Sequence, residues 1–141
     1  MAITFHPKEG AILLCDYGTG FIEPEMVKQR LCVVISPRLR RREGLCNVVP
    51  LSTTAPRDVC DYHCDLELER ELPRPWAGRH KWAKCDLFAA VSHKRLSLIG
   101  TGRGPDGSRK YIQPHVSHDQ LKAIKGGVLC ALTLQRLTEH L

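Results

Sequence analysis

The apolar residues of this chain come in short runs, each closed within a few positions by glycine, proline or a hydroxyl cluster. Ala11-Ile-Leu-Leu-Cys15 leads into Asp16-Tyr-Gly-Thr-Gly-Phe21, and Leu31–Ile35 stops at Ser36-Pro37. Leu45–Leu51 runs into Ser52-Thr-Thr54, and Tyr62–Leu68 alternates as a half-buried strand does. Trp82–Asp86 and Leu87–Val91 read as one or two further strands, and Lys94–Ile99 follows them. Runs this short, bounded by turn formers, read as strands. The glycine-rich stretch Gly100–Arg109 predicts a hairpin tip or mobile loop, with a short strand at Tyr111-Ile112. Helical patterning enters only at the end. Ser117 with Gln120 three positions on gives a capping box, which predicts a helix over 118–125 stopping at Gly126-Gly127. A second helix, Val128–Glu139, carries an apolar stripe of Val128, Leu129, Leu132, Leu134, Leu137 and Leu141. Strands first and helices last predict a mainly β fold, a small antiparallel barrel with a C-terminal helix packed on it. The length, 141 residues, suits one domain, with the barrel over about 8–113 and the helices over about 117–140.

Charge narrows the partners. Lys and Arg number 21 against 15 Asp and Glu, a net +6 that favours an anionic partner such as nucleic acid or an acidic protein. Arg38, Arg40, Arg41 and Arg42 form one basic cluster, and Arg103, Arg109 and Lys110 a second. Two such loops could frame a groove for a phosphate backbone, or simply be solvated. Of the seven cysteines, Cys15, Cys32 and Cys130 lie inside apolar runs, which suits buried free thiols in a reducing compartment. Cys60-Asp-Tyr-His-Cys64 lacks a second ligand pair at zinc-site spacing, so no metal is expected. No apolar run approaches a membrane span and no N-terminal signal pattern stands out, so the cytoplasm is the expected location and no membrane the expected partner.

One stretch concentrates the chemistry. Lys28-Gln-Arg-Leu-Cys-Val-Val-Ile-Ser36 puts Arg30 at the mouth of a buried strand, and Asn47–Thr54 puts Ser52 and Thr53 at the end of another. If the two strands are neighbours, a guanidinium fork and two hydroxyls converge, a set suited to phosphate. The plainer alternative is an edge arginine beside an ordinary Ser/Thr turn. Histidine is a residue type suited to acid–base work, but His80, His93, His115 and His118 fall in loops without an evident partner, which reads as surface. Trp76 and Trp82 could stack a base, although Trp82 in a strand fits a core position as well.

Taken in order, Gly10-x-Ile-Leu-x-x-Asp16, Glu25-x4-Arg30-x-x-Val33-Val34-Ile35, Val48-Val49-Pro50-Leu51-Ser52-Thr53 and Trp82-Ala-Lys84-Cys85-Asp86…Lys94-Arg95-Leu96 resemble the PemK/MazF family of toxins. The resemblance spans roughly residues 8–98. It implies an SH3-like antiparallel barrel that forms a homodimer, pairs with an acidic antitoxin and cleaves single-stranded RNA without metal or other cofactor. The products it implies are a 2′,3′-cyclic phosphate and a 5′-hydroxyl. Position by position, Arg30 matches the family's catalytic arginine, Ser52 a position often held by threonine, and Asp86 the aspartate of an Arg-x-Asp acid–base pair. Glu25, Gly20, Phe21, Thr53 and Lys84 match positions around the substrate, and Arg38 and Arg40 add basic charge for it. Three positions depart from the pattern: Leu31 where proline is usual, Pro24 where a histidine occurs, and Lys84 where arginine occurs. A second implied reading keeps the fold without the cleavage, as in the gyrase-binding CcdB toxins or a degenerate RNA-binding relative.

Overall fold

The computed structural model describes residues 1–141. Its strands are β1 (Ile12–Asp16), β2 (Gln29–Val34), β3 (Leu45–Ser52), β4 (His63–Glu67), β5 (His80–Lys84), β6 (Ala89–Ser92), β7 (Leu96–Ser97), β8 (Ile99–Arg103) and β9 (Arg109–Ile112). One α-helix follows, α1 (His118–Ala131), and then a 3₁₀ turn, Gln135–His140. All pairings are antiparallel, in the order β4-β5-β3-β2-β1-β7, with β6 also on β3 and with β8–β9 as a separate hairpin. The sheet curls without closing, because β4 and β7 end the path and do not pair with each other.

The turn is made on β3. Its outer edge takes β6 at Leu45–Val48 and β5 at Leu51 and Ser52. Pro50 falls between the two partners, where a missing N–H costs no ladder bond to either. Alternation then splits the strand residues between two cores. Ile12, Leu31, Val33, Val49, Leu51, Leu66 and Ala83 face α1 and pack with its Ile124. Leu13, Cys15, Cys32, Val34, Cys46, Val48, Val91 and Leu96 fill the inside of the curl with Ile3 and Tyr17. Each buried Val, Leu or Ile contributes about 1.5–3 kcal/mol, so these two clusters dominate the stability of the fold.

The C-terminal region differs from the sequence expectation of two helices parted at Gly126-Gly127. α1 runs through both glycines and ends at Ala131, beyond which Thr133 turns left-handed at φ +57°. The capping box is present as expected, with Gln120 N donating to Ser117 Oγ and Ser117 N to Gln120 Oε1. Gly127 marks a close approach and not a stop. A Cβ there would lie 2.6 Å from Cys85 Sγ, 2.9 Å from Cys85 Cβ and 3.2 Å from Tyr62 O. No helix is long and apolar enough to cross a membrane.

Lys81 is a charged residue on the core-facing side of β5, with no exposed surface. Its Nζ donates to Gly78 O at 2.5 Å and Ala77 O at 3.4 Å, which ties the proline-rich segment 72–79 to the strand. Burial pushes its pKa down, while Glu71 and Glu67 oppose that shift.

Candidate active site

Strand register builds the site. Cys15 lies opposite Arg30, Ser52 opposite Trp82, and Trp82 opposite Asp65. Leu31 lies opposite Leu51, so the next position of the same register sets Arg30 beside Ser52. Directly opposed residues of an antiparallel pair point to the same face. Cys15, Arg30, Ser52, Trp82 and Asp65 therefore form a row across five strands. Their neighbours Leu31, Leu51, Ala83 and Leu66 turn the other way, into the core under α1. The two strand ends singled out in the sequence are neighbours, which sets Arg30 and Ser52 on one face.

The donors in this row are left available. Arg30 is half-buried, and its only protein hydrogen bond runs from Nε to Val27 O at 3.3 Å. Both terminal nitrogens of its fork are without a protein partner. Ser52 Oγ accepts from Thr54 N at 3.1 Å, so its own hydrogen is free to be donated outward. Thr53 is exposed beside it. Trp82 is half-exposed, and the His80 ring meets it edge-on with centroids 5.8 Å apart. His80 Nε2 is hydrogen-bonded to Asp65 Oδ1.

One step along β5, Lys84 shares this face and lies opposite His63. Cys60 N donates to His63 Nδ1 at 3.0 Å, which leaves the ring proton on Nε2. That nitrogen lies 3.6 Å from Asp86 Oδ1, in the 3₁₀ turn Cys85–Leu87 that follows β5. Asp86 is thus paired with a histidine, and its carboxylate keeps 37% of its side-chain surface exposed. Cys60 and Cys64 do not act together: Cys60 Sγ lies by Asp58 O, while Cys64 Sγ faces Ala123 O and Cys85 Sγ.

Several residues expected around the substrate make contacts within the protein. Phe21 packs edge-on against Tyr17, with centroids 5.1 Å apart, and Arg95 stacks over it at 4.8 Å. Arg95 Nη1 donates to Asp16 O and Thr19 O, at 2.9 and 2.5 Å. The Asp16 carboxylate accepts from Gly18 N and Thr19 Oγ1, and these donors hold its pKa below the ordinary value. Gly20, at φ +87°, makes the turn that a side chain would strain. Loop 16–21 is accordingly stapled shut by Arg95. Glu25 caps its own turn, accepting from Ile22 N at 2.6 Å.

Arg38 and Arg40 lie apart from this face. They belong to the connection from Val34 to Leu45, at the opposite end of the β2–β3 hairpin from Arg30 and Ser52. An antiparallel pair cannot bring its turn and its open end together. Arg38 Nη2 is bound to Glu43 Oε1 at 2.9 Å, and with Arg42 it lines a recess of about 510 Å³ against Phe5, His6 and His93. Arg103, Arg109 and Lys110 line a different recess with Met1 and Tyr111. Neither recess reaches Arg30, so the two basic clusters do not frame one groove around it.

Sequence reasoning missed the histidines of this face. His80 and His63 gain their carboxylates from register and a turn, and no local spacing announces those pairings. The alternation of His80, Trp82 and Lys84 along one strand was the available signal.

Residues 8–130 match the model of the PemK-like, MazF-like toxin of type II toxin–antitoxin systems. The Escherichia coli K12 protein YifN is 32% identical over 147 residues, spanning 92% of this chain and 93% of YifN. A Haemophilus influenzae protein is 38% identical over 111 residues, spanning 70% of this chain and 76% of its own. Among solved structures, MazF from Deinococcus radiodurans superposes with a TM-score of 0.60 at 15% identity, over 92% of this chain and 98% of that one. A mycobacterial endoribonuclease, in complex with its cognate antitoxin, gives 0.59 at 19% identity, over 91% and 96%. At such identities the superpositions speak for the fold, while the family match and YifN speak for kinship. This chain belongs to the PemK-like, MazF-like toxin family of type II toxin–antitoxin systems.

Proposed function

We propose that the chain is an endoribonuclease toxin that cuts single-stranded RNA without a metal ion. The observation that carries this reading is the row joining the free fork of Arg30, the free hydroxyl hydrogen of Ser52 and the half-exposed Trp82 on one face. Trp82 offers a surface on which a base stacks, which favours an unpaired strand. Arg30 and Ser52 donate to the non-bridging oxygens of the adjacent phosphate.

In the reaction, the 2′-oxygen attacks phosphorus and its proton passes to the Asp86 carboxylate. Negative charge builds on the phosphorane oxygens, where Arg30, Ser52 and the ammonium of Lys84 stabilise it. The bond from phosphorus to the 5′-oxygen then breaks, leaving a 2′,3′-cyclic phosphate and, once protonated, a 5′-hydroxyl. The protein works as a homodimer and is neutralised by an acidic antitoxin. Its net charge of +6 supports that partner, as does the antitoxin bound to the mycobacterial neighbour.

The test is incubation of purified protein with a long single-stranded RNA in EDTA, wild type beside Arg30→Ala and Ser52→Ala. Defined cuts ending in cyclic phosphate are expected from wild type. The rate should fall about 10²–10³-fold in Arg30→Ala and in Ser52→Ala, as when one donor to a developing oxyanion is lost. Binding without cutting by wild type would favour the non-cleaving, CcdB-like reading, and cutting undiminished in Arg30→Ala would place the site elsewhere.

A further inference from the structure

Cleavage as proposed above leaves one proton unassigned, the one the departing 5′-oxygen takes up. In-line displacement sets the attacking and leaving oxygens on opposite sides of phosphorus, so acceptor and donor should flank the phosphate. Along β5 the chain provides that arrangement. Asp86 follows the strand, His80 begins it, and Trp82, opposite Ser52, lies between them.

We infer that His80, oriented by Asp65, is the group that protonates the departing 5′-oxygen; this rests on the endoribonuclease reading. His80 shares the face of Trp82, being two residues from it on one strand, and so shares that of Ser52 and Arg30. It is the diagonal neighbour of Ser52, for which the backbone spacing is about 7–8 Å. That gap accommodates a phosphate held at Ser52 with its leaving oxygen directed at the imidazole.

The hydrogen bonds select the nitrogen. A carboxylate only accepts, so Nε2, bonded to Asp65 Oδ1, carries a proton. Nδ1 has no protein partner and is the nitrogen left to exchange a proton with substrate. In the step, the bond from phosphorus to the 5′-oxygen breaks and its electron pair takes the Nδ1 proton, leaving neutral imidazole with Nε2–H still on Asp65. Across β4, the charged group directly opposite His80 is Glu67, itself engaged by Arg79 Nε at 3.8 Å. Asp65 acts through the histidine and is a positioning residue.

The experiment compares two RNAs of one sequence containing a mapped cut site, one natural and one with sulfur replacing the departing 5′-oxygen. A thiolate leaves without needing a proton. His80→Ala should cut the natural RNA about 10²-fold or more slowly, within the range general acids contribute, yet cut the sulfur RNA at close to the wild-type rate. Asp65→Asn should show the same pattern more weakly. Arg30→Ala should slow both RNAs, and RNA affinity measured by anisotropy should be unchanged in His80→Ala. Equal slowing of both RNAs by His80→Ala, or no slowing of either, would overturn the assignment of His80 while leaving the nuclease reading standing. Failure of wild type to cut either RNA would overturn both together.

Discussion

Arg30 and Arg38 lie on the same hairpin and have the same side chain, yet one leaves its fork free while the other closes it on Glu43. What separates them is neighbourhood, and the same holds for the histidines. His93 faces His6 with ring centroids 5.3 Å apart, and the Nε2 atoms of both rings are buried without a protein partner. Burial, and after it the neighbouring His6, hold the His93 pKa below its ordinary value of 6.5. A depressed histidine binds fewer protons folded than unfolded, so stability rises with pH through the window between the two pKa values. Unfolding free energy from urea titration should therefore fall as pH drops below about 6.5, and His93→Gln should flatten that fall. A wild-type curve with no such slope would show His93 is not penalised for charging. At this scale, the placing of Arg30 beside Ser52 was legible because Arg30 opens one strongly apolar run and Ser52 closes another. The partners of His80 and His63 were not, since they come from register and a turn outside any local pattern.

At the level of elements, short runs bounded by Gly and Pro located the strands well, because turn chemistry is local. The helix end was misread for the opposite reason: a glycine can mark either a stop or a close approach, and only packing distinguishes them. Two adjacent glycines of α1 make this measurable. Gly127→Ala would drive a methyl to 2.6 Å from Cys85 Sγ, an overpacking that costs about 1–3 kcal/mol. Gly126→Ala meets Thr138 Cγ2 at a tolerable 3.4 Å and should gain up to about 1 kcal/mol from helix propensity. Thermal unfolding of the two variants should move in opposite directions from wild type. Cys85 precedes Asp86, so Gly127→Ala should also slow RNA cleavage more than its loss of stability explains.

For the molecule as a whole, the two ends of the β2–β3 hairpin divide the work. Arg38→Ala with Arg40→Ala should leave the cleavage rate of a short RNA unchanged, while Arg30→Ala lowers it about 10²–10³-fold. A marked loss in the double variant would mean that RNA extends the length of the hairpin. The sheet class was legible from patterning, but its incomplete closure was not, because it depends on where β3 exchanges β6 for β5. The register that joins these strands has one more effect. Slipping β2 by a single residue would turn Arg30 toward α1 and Leu31, Val33 and their neighbours out to water. Such a chain would lose its apolar seal and the pairing of Arg30 with Ser52 in the same event. Under the proposed function, half-assembled molecules would be inactive as well as unstable, and cutting would be gained only once the β2–β3 register is set.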